Sequence, residues 1–83
     1  MKVPRDLSGR ELVNVLCRHW NYREIHQSGS HIILETESPR HQRIAVPAHR
    51  ILKLGTLNAI LRIVASHKGV SKEAVAGTIS LND

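Results

Sequence analysis

An α+β domain, with helices on one face of a three-stranded antiparallel sheet, is the fold class that the sequence predicts. Three observations point there. A capping box opens an amphipathic run over residues 8–20, three short extended runs separated by turn signals fill residues 22–46, and a second amphipathic run ends on a glycine at position 69. Strands gathered together between helices mark α+β, whereas strict alternation would mark α/β.

The first helix is announced by Ser8-Gly9-Arg10-Glu11, in which Ser8 and Glu11 can satisfy each other's orphan backbone donors. Leu7 and Leu12 stand where a hydrophobic staple would pair them. Leu12, Val13, Leu16 and Trp20 then recur at helical spacing as one buried stripe. Asn21, tolerant of the left-handed conformation, is the expected stop. Tyr22–Ser28 reads as the first strand, and Gly29-Ser30 as a two-residue hairpin with glycine first, the signature of a II′ turn. His31–Thr36 is the second strand and Gln42–Val46 the third. Pro47 bars a long continuation in a central strand.

Alternation assigns the faces. Ile32 and Leu34, with Ile44 and Val46, are expected to point to the core. His31, Ile33 and Glu35 then share the open face with Arg43 and Ala45, and Arg43 lies across from Glu35 or Glu37. Thr56 is the expected N-cap of the second helix, whose buried stripe is Leu57, Ile60, Leu61 and Val64. His67-Lys68-Gly69 closes it with cations and a glycine cap. Ser71 can cap a short third helix, with Val70 and Val75 as its staple, and Gly77 leaves its length open.

At 83 residues the chain is one domain, 1–83, with its core over about 8–75. One cysteine excludes an internal disulfide framework and fits a reducing compartment. The start Met1-Lys2-Val3-Pro4-Arg5-Asp6 has no apolar run behind its charges, and no stretch approaches the roughly 20 apolar residues of a membrane span. A cytoplasmic location is expected. The net charge of +5 is unevenly spread: from Ser38 to Lys72 there is no Asp or Glu, against seven Lys or Arg and three His. Such one-signed clustering points to a polyanion, and to nucleic acid over a membrane, because no helix pairs a basic face with a large aromatic one.

Among residues able to do chemistry, His31 carries an imidazole, which as a type can take a proton from a ribose 2′-hydroxyl or give one to the leaving oxygen. A histidine beside a hairpin turn is, on the residues alone, more often a structural surface group than a catalytic one. The six histidines show no zinc-type spacing, and no metal site is expected. Cys17 on the first helix reads as an inert thiol. Glu35 and Glu37 read as ion-pair partners of Arg43, and Glu35 is about 13 Å along the strand from His31, too far to orient it. His49 is either a loop residue bonded to nearby backbone or an RNA contact. With only Trp20 and Tyr22 aromatic, base-stacking platforms are missing, so phosphate and shape contacts should dominate.

The run Gly29-Ser30-His31, followed by Val46-Pro47, His49, Gly55-Thr56-Leu57 and Ile60-Leu61, resembles the HicA (YcfA-like) toxin family over about residues 8–75. Each motif is short, and their order and spacing carry the likeness. The resemblance implies a fold like a double-stranded-RNA-binding domain. It also implies metal-independent cleavage of mRNA without a cofactor, His31 as the functional histidine, and a HicB-like antitoxin partner. On that reading the catalytic residue is His31 and the RNA contacts are Gly29, Ser30, Arg43, His49, Arg50 and Lys53. The chain departs from the pattern at His26, where the family often has Arg, and at Asn21-Tyr22, in place of a glycine–aromatic pair. A non-catalytic RNA-binding module using the same basic surface is the alternative, as is a chain that only docks its partner.

Overall fold

A computed structural model describes residues 6–80. The segment Met1–Arg5 and the last three residues, and with them the ends of the 1–83 domain, lie outside the described residues. Helix α1 (Gly9–His19) is followed by strands β1 (Arg23–Ser28), β2 (His31–Thr36) and β3 (Gln42–Pro47), then α2 (Leu54–Lys68) and α3 (Lys72–Ser80). The strands form one antiparallel sheet in the order β1-β2-β3. The α+β class is therefore as the sequence predicts.

The capping box forms in full. Ser8 Oγ accepts from the Glu11 amide at 3.0 Å, and Glu11 Oε1 accepts from the Ser8 amide at 2.9 Å. Leu12, Val13 and Leu16 are buried as expected, together with Val15. Trp20 is only partly buried, because it caps the helix end, where its Nε1–H donates to Thr78 Oγ1 at 3.0 Å. Asn21 takes the left-handed conformation with φ 62°. Tyr22 is not in β1 but buried beneath the sheet end, its hydroxyl donating to Gln42 Oε1 at 2.6 Å.

Helix α2 begins two residues before the expected cap. Its first rung runs from the Leu57 amide to the Lys53 carbonyl at 2.9 Å, so Lys53 is the N-cap, without a side-chain bond, and Thr56 lies in the first turn. Gly69 ends the helix at φ 70°. Ser71 does cap α3, accepting from the Ala74 amide at 3.1 Å, but the staple is absent: Val75 is fully buried while Val70 stays exposed. Helix α3 runs through Gly77 to Ser80.

The helices cover the inner face, where Ile32, Leu34 and Val46 meet Leu12, Leu16, Leu57 and Leu61 in one cluster sealed by Val75, Ala76 and Ile79 of α3. Ile44 packs at its rim. Each such aliphatic side chain contributes about 1.5–3 kcal/mol through burial. Lys68 at the end of α2 ties the helix to the β2–β3 turn, donating to Thr36 Oγ1 at 3.0 Å and to the Ser38 carbonyl while lying over the Tyr22 ring. Among the described residues no helix is long and apolar enough to cross a membrane. Among the described residues no helix lies on the outer face of the sheet.

Candidate nucleic-acid interface

His31 owes its position to a two-residue turn between β1 and β2. Gly29 has φ 58° while Ser30 does not share the positive value, the combination a II′ turn requires, so Ser28 pairs with His31 across two residues. His31 is thereby the first residue of β2, exposed on the outer face, with Ser28 on one side and Pro47 of β3 on the other. Pro47 is in the strand after all, as its last residue. A proline is admissible there because β3 is an edge strand.

Beyond Pro47 the chain stays bound to its neighbours. The Ala48 amide donates to the Ser30 carbonyl at 2.6 Å, the Gly9 amide to the His49 carbonyl at 2.9 Å, and the Leu52 amide to the Leu7 carbonyl at 2.8 Å. The segment 48–52 is thus stitched to the hairpin tip on one side and to the start of α1 on the other, with Leu52 buried beneath. Gly9 makes this approach feasible: a Cβ on it would lie 1.8 Å from the Pro47 carbonyl oxygen. Five of the six expected RNA contacts converge here. Gly29 and Ser30 form the turn, and His49, Arg50 and Lys53 are exposed on the adjoining loop. Among the described residues no ion pair engages Arg50 or Lys53. Ile51 and Leu54, both more than half exposed, stand beside these two cations.

Arg43 is brought to a different place. It pairs across from Glu35, four residues along β2 from His31, and its Nε–H donates to Glu35 Oε2 at 3.1 Å. Glu35, 7% exposed, is a hub: Arg23 donates to it at 2.7 Å and His41 Nε2 lies 2.8 Å away. These bonds, from Arg23 first and then His41 and Arg43, hold its carboxyl far below the ordinary 4.5, at about 2. Glu37, the other expected partner of Arg43, instead lies 4.0 Å from His41. Glu35, Glu37 and His41 place possible ligand atoms within 4.8 Å of one another. With two guanidiniums already on Glu35, the local charge opposes a bound cation.

Two clefts lie away from His31. One of 430 Å³ is lined by Arg40, Gln42, Arg62, Ile63, Ser66 and His67, and one of 270 Å³ adjoins Glu35. His67 Nε2 holds the Arg40 carbonyl at 2.8 Å. Burial raises the Cys17 thiol pKa, which suits the inert reading of that residue.

Sequence reasoning did not place His26, and a signal for it existed. Once Ser28 pairs with His31, Gln27 pairs with Ile32 and His26 with Ile33, so His26, Ser28 and His31 share the outer face. Arg23 had no such signal. The ladder slips between Glu24 and His26, and this bulge at Ile25 turns Arg23 to the outer face, where it meets Glu35, and Glu24 to the helix side, where Arg10 binds it at 2.6 Å.

Residues 9–64, about two thirds of the chain, match the family described as the HicA toxin of bacterial toxin-antitoxin systems. No curated protein and no solved structure matches significantly.

Proposed function

The chain belongs to the HicA toxin family, a toxin family of bacterial toxin–antitoxin systems, and from that premise we propose that it is an endoribonuclease that cleaves mRNA in the cytoplasm, with His31 as general acid or base. The toxin acts in a type II system in which a HicB-like antitoxin covers the same surface. The observation that carries this reading is the junction of an exposed histidine with uncommitted cations: His31 at the hairpin tip, with His49, Arg50 and Lys53 on a loop bonded to that tip through Ser30.

The chemistry asks for little else. The ribose 2′-hydroxyl loses a proton and attacks the neighbouring phosphorus, the bond to the 5′ oxygen breaks, and that oxygen gains a proton. A positioned histidine serves the proton steps. Cations facing the phosphorane offset its developing charge, and Arg50 and Lys53, on the loop bonded to the hairpin tip, have no carboxylate partner among the described residues. Gly29 and Ser30 offer a turn low enough for an RNA backbone to approach.

The deciding experiment incubates purified protein with RNA in the presence of a chelator and compares it with His31→Ala. Cleavage by the wild type and a loss of about 10²–10⁴-fold in the variant, with RNA affinity and melting preserved, is the expected result. Cleavage within a few-fold of wild type removes His31 from the chemistry. RNA binding without cleavage by either protein favours the non-catalytic module.

A further inference from the structure

We propose that His26 is a second catalytic residue, sharing the proton transfers of RNA cleavage with His31; this rests on the reading of the chain as an RNA-cleaving enzyme. The register places His26 across from Ile33 and His31 across from Ser28, so the two histidines are diagonal neighbours on one face of the β1–β2 pair. Such neighbours are about 7–8 Å apart at their Cα atoms. Each imidazole reaches about 3 Å beyond its own nitrogen by hydrogen bonding, which leaves room for one phosphate between the rings.

The surroundings favour this use of both rings. His26 and His31 are exposed, and among the described residues no side-chain hydrogen bond or ion pair engages either ring, whereas His41 is held by Glu35 and His67 by the Arg40 carbonyl. The groups that adjoin them on that face are Ser28 on β1, Ile33 on β2, and Ala45 and Pro47 on β3. All are small or apolar, and none carries a charge. The charged groups of that face, Arg23, Glu35 and Arg43, are gathered at its other end and bonded to one another.

In the division of labour, one neutral imidazole accepts the 2′ proton as the bond from O2′ to phosphorus forms. The other, protonated, donates to O5′ as the bond from phosphorus to O5′ breaks. The products are a 2′,3′-cyclic phosphate and a 5′-hydroxyl. One proton is taken and one is delivered, so the pair ends with its protonation states exchanged and resets through solvent. A lone histidine would have to carry the same proton across the phosphorane.

The test uses the full chain and two RNA substrates of one sequence, one of them with sulfur replacing the 5′ oxygen at a single linkage. A thiol leaving group of pKa about 8.5 departs as thiolate and needs no acid. His26→Ala should slow cleavage of ordinary RNA by about 10²–10⁴-fold, with melting temperature and RNA affinity unchanged. On the sulfur substrate one of the two variants, His26→Ala or His31→Ala, should recover to within about tenfold of wild type, and the other should not. Wild-type rates for His26→Ala on ordinary RNA overturn the proposal while leaving His31 in place. Recovery of both variants, or of neither, also overturns it. Undiminished cleavage by His31→Ala overturns the underlying reading instead.

Discussion

Replacing Gly9 by alanine sets a local preference against a packing constraint, and the structure says which wins. Alanine is favoured over glycine inside a helix by about 0.8–1 kcal/mol, so propensity alone predicts stabilisation. The added Cβ, however, would lie 1.8 Å from the Pro47 carbonyl oxygen, 2.9 Å from its carbonyl carbon and 3.2 Å from Ala48 Cα. All three are backbone atoms, so no side-chain rotation relieves the overlap. Either α1 or the segment after β3 has to move, and the 2.9 Å bond from Gly9 N–H to the His49 carbonyl goes with it. Overpacking costs about 1–3 kcal/mol and the bond about 0.5–1.5 kcal/mol, so after the helix preference is set against them the net loss is about 0.5–3.7 kcal/mol. For a chain of this size each kcal/mol is worth roughly 4–8 °C in melting temperature. The assay is thermal unfolding followed by circular dichroism, with Gly55→Ala as control. A Cβ at Gly55, also helical, meets nothing within 4 Å, so that variant should melt up to about 8 °C higher. A Gly9→Ala protein as stable as wild type would falsify the clamp between α1 and the loop.

Other outcomes can be stated more briefly. Because the Glu35 carboxyl is held at about 2 instead of 4.5, its contribution to stability is present above pH 4.5 and lost as pH falls from there toward 2. Urea unfolding of Glu35→Gln should show a weaker acid dependence across that window, and an unchanged one counts against the hub. Burial raises the Tyr22 hydroxyl from 10 to about 12, so stability should decline as pH rises through that interval, and Tyr22→Phe should remove the decline in the same measurement. RNA affinity should fall with salt by about 0.7 log units per decade for each phosphate neutralised. Arg50→Ala or Lys53→Ala should each lower that slope by up to this amount. Arg43→Ala should change it less, since Arg43 is already paired with Glu35. Equal effects from all three in a salt titration would mean that the far end of the sheet also grips RNA.

What could be read in the sequence is what is decided within a few residues. The Ser8/Glu11 box, the Gly29-Ser30 turn and the Gly69 cap each place both partners of an interaction side by side in the chain, and all three form. Strand pairing then followed from the turn, including Glu35 across from Arg43 and the exposure of His31. The start of α2 was misplaced because Thr56 is a good cap by residue type, whereas the helix is begun by the Lys53 carbonyl and docked through Leu52 and Leu57. The three-partner hub on Glu35 depends on a bulge at Ile25 that no local pattern marks. Gly9 looked like an ordinary capping-box filler, and its role lies in a contact with Pro47, nearly forty positions away.

The stitching of segment 48–52 also makes the candidate site observable without RNA. Three amide protons, those of Gly9, Ala48 and Leu52, bridge α1, the hairpin and the loop in a ring of contacts separate from the sheet ladder and the helices. Local regions open with free energies of their own, below that of global unfolding. Hydrogen exchange at these three amides therefore reports the fraction of time in which the histidine-bearing surface is assembled, independently of catalysis. If they exchange together and faster than the amides of β2, the surface is a cooperative unit that can open while the core stays folded. A partner that holds the loop would then slow all three at once, even if it never touched His31.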